Sequence, residues 1–335
     1  MFHYTIRRLV VAVPTLLLIS LIIFLLLGLA PGDPMAQLPL TIPPEVKEQM
    51  RQSLGLGDPL MTRYLLWLKQ FFWVEPLYVI DNLFGLHFSE GTHRIVSWQS
   101  RSPVADIIAQ RLPQTLWVVG VAYLVGIVIA LPLGIISAYR QYSWFDQVGT
   151  LVSMIGFSVP TFFTGVILIV IFSVGLHWLP SLYDTTLQVT DWNSFWAQIR
   201  QMVLPVTVLA LYNASQISRF MRASMLDNLR QDYVRTARAK GLTEKVVVLI
   251  HVLRNSMIPV VTVIGLGVPQ IFGGAIITEQ VFKVNGIGEL LISSIQANDL
   301  PMVQTLTFIF AALIVLSNLI TDILYGVLDP RIRYD

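Results

Sequence analysis

The amino-acid sequence predicts an all-α protein that crosses a membrane several times, and three observations carry that reading. Of 335 residues, 55% are apolar, only 13% are charged, and mean hydropathy is +0.68, values that no soluble domain of this size needs. Six runs lack formal charge and approach or exceed the roughly 20 helical residues that cross a hydrocarbon core about 30 Å thick. None of them shows the alternation of a barrel strand, and backbone groups cannot stay unpaired in lipid, so the runs read as helices.

The first run lies between Arg8 and Asp33, making residues 1–30 an N-terminal transmembrane helix. Arg7 and Arg8 before an apolar core also resemble the start of a signal peptide, but this core is longer than a signal needs, and cleavage after Ala30 would leave Pro31 at the new terminus. Residues 31–111 form an external helical segment. Within it, Pro43 and Pro44 open a helix with Val46, Met50 and Leu54 on one face, ending at Gly55. Asp58 is placed to cap a second helix from Pro59, whose Leu60, Tyr64, Trp67, Leu68 and Phe71 make an apolar stripe. Ser102-Pro103 caps a third that feeds the next crossing. The stretch 75–101 carries no assignable pattern.

Residues 112–335 form a five-helix core. Its runs lie between Arg111 and Arg140, between Asp146 and Asp184 (one helix and an emerging loop), between Arg200 and Arg219, between Arg254 and Glu279, and between Asp299 and Asp322. The loop 219–257 separates two of them. Between Arg219 and Arg254 it holds eight bases (Arg219, Arg222, Arg230, Arg235, Arg238, Lys240, Lys245, Arg254) against three acids (Asp227, Asp232, Glu244). The positive-inside bias makes that loop cytoplasmic and, with Arg7, Arg8, Arg331 and Arg333, places both termini inside.

Within the loop, a short helix from about Asn228 precedes Gly241, which stands where a left-handed C-terminal cap goes, and Thr243 caps the helix that returns to the membrane. Ala237 and Ala239 allow close approach to a groove, and the arginines suit acids on its rim. On charge alone, a solvated basic loop is the stronger reading.

In the fourth crossing, Tyr212, Asn213, Ser215, Gln216 and Ser218 are candidates for pore lining or for hydrogen bonding between helices. No charged residue is expected deep in a helix, and Glu279 and Lys283 are spaced to satisfy each other at the outer end. A secondary transporter would carry an intramembrane carboxylate or His and internal repeats, and neither is visible. No catalytic constellation or metal site is expected: the chain has no cysteine, and His87 and His93 fit no common zinc spacing. Without a phosphate loop the chain has no evident ATP site or cofactor of its own, and no nucleic-acid partner is expected.

The stretch Asp232-Tyr233-Val234-Arg235-Thr236-Ala237-Arg238-Ala239-Lys240-Gly241 resembles the EAA loop of bacterial ATP-binding-cassette importer permeases. Only Ala237 and Gly241 match the general triplet-and-glycine pattern, and Pro259 stands five residues beyond the usual proline, as in the peptide and nickel branch. Elsewhere the chain is similar to the first permease of such systems at Pro31-Gly32-Asp33-Pro34, Arg111-Leu112-Pro113-Gln114-Thr115-Leu116, Gly286-Ile287-Gly288 and Leu328-Asp329-Pro330-Arg331. Asn285 replaces the usual proline, and Trp73 to Trp98 is longer than the usual connection.

The resemblance implies the type I importer transmembrane fold with six crossings. It also implies a second permease as heterodimer partner, an extracytoplasmic binding protein, and two cytosolic ATPases that hold ATP and Mg2+. The 228–245 loop would then couple to those ATPases through Asp232, Tyr233, Arg235, Ala237, Arg238, Lys240 and Gly241. Pro259, Gly265, Gly267 and Pro269 would be hinge or close-packing positions. Di- and oligopeptides are the expected cargo, with nickel chelates, glutathione-like compounds and oligosaccharides as alternatives.

Overall fold

The computed structural model describes residues 2–29, 45, 57–273 and 275–328. The helix expected from Pro43 to Gly55, and the closing Arg331 and Arg333, lie outside the described residues. Among the described residues the structure is almost wholly helical, and β pairing is limited to an isolated bridge between Val96 and Pro103. In chain order the helices are α1 (Phe2–Leu29), α2 (Leu60–Lys69), α3 (Glu75–Phe84), α4 (Val104–Thr115), α5 (Val121–Tyr139), α6 (Trp144–Ser158) and α7 (Thr161–Leu168). They continue as α8 (Trp192–Leu229), α9 (Asp232–Ala239), α10 (Glu244–Val246), α11 (Leu253–Gly273), α12 (Ile276–Phe282), α13 (Ile287–Gln296) and α14 (Leu300–Leu328). Wider π-helical turns at Gln70–Val74, Leu116–Gly120 and Val247–Val252 join α2 to α3, α4 to α5 and α10 to α11, and another at Ile169–Gly175 extends α7.

Four stretches are long and apolar enough to cross a membrane: Ile6–Leu29, Val104–Tyr139, Glu244–Phe272 and Leu300–Ile323. The pair Trp144–Ser158 and Thr161–Gly175 makes a fifth if counted as one span, but it is bent by 105°. The single helix and loop expected between Asp146 and Asp184 is therefore two helices around an elbow. Pro160 supplies no N–H and holds Val159 out of the helical region, at φ −81° and ψ 126°. The 38-residue α8 is long enough to cross but more polar than the others. Asp191 and Ser194 start it with a capping box, the Ser194 N–H donating to Asp191 at 2.7 Å.

The chain divides into two compact units: Met1–Leu9, Leu112–Glu289 and Leu313–Asp335 in one, Val10–Arg111 and Leu290–Ala312 in the other. In the first, α5 presents Ala122, Gly126, Ala130, Gly134 and Ala138, one small buried residue per turn. A Cβ on Gly126 or Gly134 would strike Asn213 or Met221, so this stripe is what lets α5 and α8 approach along their length. At one end of this interface Asp146 on α6 accepts both Nε and Nη2 of Arg222 on α8, at 2.6 and 2.8 Å, a bidentate pair with Asp146 buried.

In the second unit, Phe24, Tyr64, Trp67, Phe71, Phe72 and Phe308 form a chain of ring contacts. The stripe expected from Tyr64 to Phe71 thus faces a core. Asp58 does not cap α2; Pro59 holds the N-cap position with no side-chain bond. The unassigned stretch 75–101 is helix α3 followed by a stapled loop. Gly85 ends α3 at φ 66°, and the Asp81 carboxylate accepts the N–H groups of Phe88 and Ser89 at 3.1 and 2.6 Å. Arg94 bridges Glu75 and Asp106 at 2.8 and 2.9 Å, lying 3.7 Å from the centre of the Tyr78 ring.

Candidate functional site: a neutral cavity and an exposed helical corner

Two features of the first unit fit the expected chemistry. The first is the corner after α8. Asn228 to Gln231 turn the chain, and α9 then runs for two turns with Val234 and Ala237 facing inward, 0% and 6% exposed. They join Met221, Met225, Val247, Val248 and Val252 in one apolar cluster. Burying a valine side chain contributes roughly 1.5–3 kcal/mol, enough for one residue to seat so short a helix. Reciprocal bonds between Ser224 and Ser256, hydroxyl to carbonyl at 2.9 and 3.3 Å, tie the end of α8 to α11 beside this seat.

Gly241 closes α9 with φ +77°, its N–H donating to the Arg238 carbonyl at 2.9 Å, as the cap position required. Nothing lies within 4 Å of where its Cβ would be, so the demand for glycine comes from the backbone, not from crowding. Thr243 holds the N-cap position of α10 without a side-chain bond.

The corner's residues divide between inside and outside. Asp232, Tyr233, Arg235 and Lys240 face outward, and Gly241 is exposed with them. Ala237, expected to face a partner's groove, is instead part of the seat. Arg238 is a strap within the corner: its guanidinium donates to Glu244 at 2.6 and 3.2 Å, across the glycine turn.

The second feature is a cavity of about 690 Å³ among α5, the α6–α7 elbow, α8, α11 and α12. Its polar lining comes from Tyr123, Ser158, Thr161, Tyr212, Asn213, Gln270 and Thr278, and no lining residue carries a charge. Of the polar residues expected to line a pore, Tyr212 and Asn213 do so. Ser215 is buried where a Cβ on Gly156 would strike it, and Ser218 is buried 3.2 Å from the Ser153 hydroxyl, so both serve helix packing. Gln216 is half-buried outside the cavity lining.

Sequence reading missed Tyr123, Ser158, Thr161, Gln270 and Thr278. Gln270 had a signal, a lone amide beside Pro269 in an apolar run, whereas the aim of Tyr123 follows from the helix pairing alone.

The proposed hinge positions sit in an unbroken α11. Pro269 lacks the N–H that would bond the Gly265 carbonyl, and the Ser317 hydroxyl donates to that carbonyl at 2.6 Å. Tyr123 donates to the neighbouring Ile264 carbonyl at 2.6 Å, and a Cβ on Gly267 would strike its ring. Gly265 and Gly267 are close-packing positions here, and Pro259 lies within the helix without ending it.

One expectation is overturned beside the cavity. Glu279 makes no pair with Lys283; it is 0% exposed, while Lys283 turns away in the left-handed C-cap of α12 at φ 58°. The Thr115 hydroxyl donates to Glu279 Oε1 at 3.0 Å, and the Glu289 N–H donates to Oε2 at 2.9 Å. Thr115 in turn accepts the Ile287 N–H at 2.8 Å. A Cβ on Gly286 or Gly288 would collide with this carboxylate, which gives the Gly286-Ile287-Gly288 motif its physical reason. Burial pushes the Glu279 carboxyl above its ordinary range, against the pull of the Glu289 N–H and the Thr115 hydroxyl. Absence of charge from the helices thus holds for the cavity lining but not for the chain.

A multi-pass helical membrane protein with a neutral, polar-lined cavity and one short anchored helix turned outward belongs to the permease class. The comparisons place it further. Residues 130–334 match the family described as "Binding-protein-dependent transport system inner membrane component", and residues 1–119 match its N-terminal companion, "Binding-prot-dependent transport system membrane comp, N-term". The chain belongs to that family.

It is 39% identical over 339 residues, covering 100% of both chains, to the oligopeptide transport system permease protein AppB of Bacillus subtilis (strain 168). To the glutathione transport system permease protein GsiC it is 38% identical in Escherichia coli (strain K12) and 37% in Salmonella typhi, each over 338 residues and 100% of both chains. It is therefore a multi-pass inner-membrane permease component of a binding-protein-dependent transport system.

Proposed function

We propose that this permease forms half of the translocation pore of an ATP-driven importer for di- and oligopeptides, moved by cytosolic ATPases through the α9 corner. The observation that carries this reading is that α9 is seated on α8 and on the π-helical turn that runs into α11, and α8 and α11 are among the helices that line the cavity. A push on the exposed face of α9 is then delivered to the cavity walls through packed side chains.

In this reading six crossings place both termini in the cytoplasm. The polar α8 serves as the fourth, since Gln198, Gln201, Ser215 and Ser218 are buried in the protein instead of facing lipid. A second permease supplies the other half of the cavity wall, and an external binding protein delivers the cargo. ATP and Mg2+ act in the ATPase subunits. A neutral lining suits a conduit, since charged groups fixed in it would retain a zwitterionic peptide or repel one end of it.

Glutathione-like compounds are the second reading, favoured by near-equal identity to the glutathione permease. The test is uptake into proteoliposomes holding both permeases, the ATPases and the cognate binding protein. Labelled tripeptide accumulating only with internal-side ATP supports the peptide reading. Accumulation of labelled glutathione alone supports the second, and uptake without ATP contradicts both.

A further inference from the structure

The segment 57–111 reads as external from sequence, yet α2 packs on apolar stretches at membrane depth. Leu60 lies so close to Gly28 that a Cβ there would come within 2.8 Å of it. The Tyr64 hydroxyl reaches further, 2.8 Å from the Ser20 hydroxyl and donating to the Leu17 carbonyl at 3.2 Å. At about 1.5 Å per residue, Leu17 is some 18 Å along α1 from Leu29, where the apolar stretch ends. A second contact gives the same depth. Phe308 meets Trp67, Phe71 and Phe72 at ring distances of 5.4, 5.0 and 5.7 Å. It lies about 12 Å along α14 from Leu300, inside the apolar stretch Leu300–Ile323.

The side of α2 and α3 turned away from these contacts is exposed and apolar. Leu65, Leu66, Trp73, Val79, Leu83 and Phe84 are each 49–73% exposed. Both acids of the pair are taken up within the protein, Glu75 by Arg94 and Asp81 by the loop that follows, while Thr62 and Asn82 are exposed and Arg63 is half-buried. Lys69 is exposed at the end of α2. On α1, Leu18 and Leu26 are likewise exposed, 58% and 65%, within a membrane-crossing stretch.

We propose that α2 and α3 form an intramembrane element lying in the leaflet at the Leu29 end of α1, its exposed face covered by lipid acyl chains. Of the described part of this segment, the stapled loop Gly85–Arg101 is then the surface that meets water. An external partner of the permease would find loop, not helix, to hold.

The chain contains no cysteine, so single cysteines can be introduced directly. Leu66→Cys, Val79→Cys, Leu83→Cys and, as a water-exposed reference, Thr92→Cys would each be nitroxide-labelled in the assembled transporter, in vesicles of phosphatidylethanolamine and phosphatidylglycerol. Power saturation with oxygen and with a nickel chelate then reads the environment. The oxygen-to-nickel accessibility ratio is expected to be several-fold higher at positions 66, 79 and 83 than at 92. A ratio equal to that at Thr92 would overturn the proposal by placing the face in water. Low accessibility to both reagents would overturn it equally, by showing that protein covers the face.

Discussion

Glu279 is the residue whose environment most changes how the chain is understood. Its carboxylate holds together Thr115 and the first turn of α13, so truncation leaves a void and two donors without acceptors. Glu279→Ala should lower the stability of the purified complex by about 2–4 kcal/mol, read as an earlier thermal transition in detergent. Glu279→Gln keeps the shape but turns one accepting oxygen into an amide donor, so it should cost less than the alanine change, about 1–2 kcal/mol. The sign of the pH effect follows from burial: a folded-state carboxyl raised above its unfolded value contributes its stability below the unfolded pKa and loses it as pH rises through the folded one. Stability of the wild type should therefore fall across that window, and Glu279→Gln should flatten the profile. None of this was legible in the sequence, where Glu279 has Lys283 at ideal spacing and its true partner Thr115 is 164 residues away.

The α9 corner was far more legible, because a glycine in the left-handed region and the start of the following helix are matters of a few adjacent residues. Which side of α9 faces inward was not, since that depends on Val247, Val248 and Met221 arriving from other helices. The elbow at Pro160 carried a local signal that the length of the uncharged run concealed. Two substitutions separate seat from turn. Ala237→Trp overpacks the seat at a cost of about 1–3 kcal/mol, and Gly241→Val forces a β-branched residue into a left-handed conformation at about 1–2 kcal/mol. Both should leave the protein in the membrane, by immunoblot, while ATP-dependent uptake is lost. Gly241→Asn, which tolerates that conformation, should retain most uptake. Normal uptake with Ala237→Trp would mean that α9 need not be seated to function.

At the scale of the molecule, the charge distribution matches a conduit worked from outside the bilayer: a neutral lining within, and Asp232, Arg235 and Lys240 displayed on the corner. Four of the charge-free runs correspond to apolar spans and a fifth to a bent pair of helices, whereas the polar α8 is not recognised by hydropathy. The shape of the cavity could not be read, because it is made by α5, α8, α11 and α12 meeting at residues far apart in sequence.

In the proposed coupling, partner ATPases grip the outward face of α9. Because the chain has no cysteine, Arg235→Cys in the assembled transporter offers a single thiol on that face. A short bifunctional cross-linker should join it to the ATPase subunit, with a yield that changes when ATP is added. Thr92→Cys, treated alike, should give no such product. Absence of any ATPase adduct from Arg235→Cys in an ATP-hydrolysing complex would contradict that coupling.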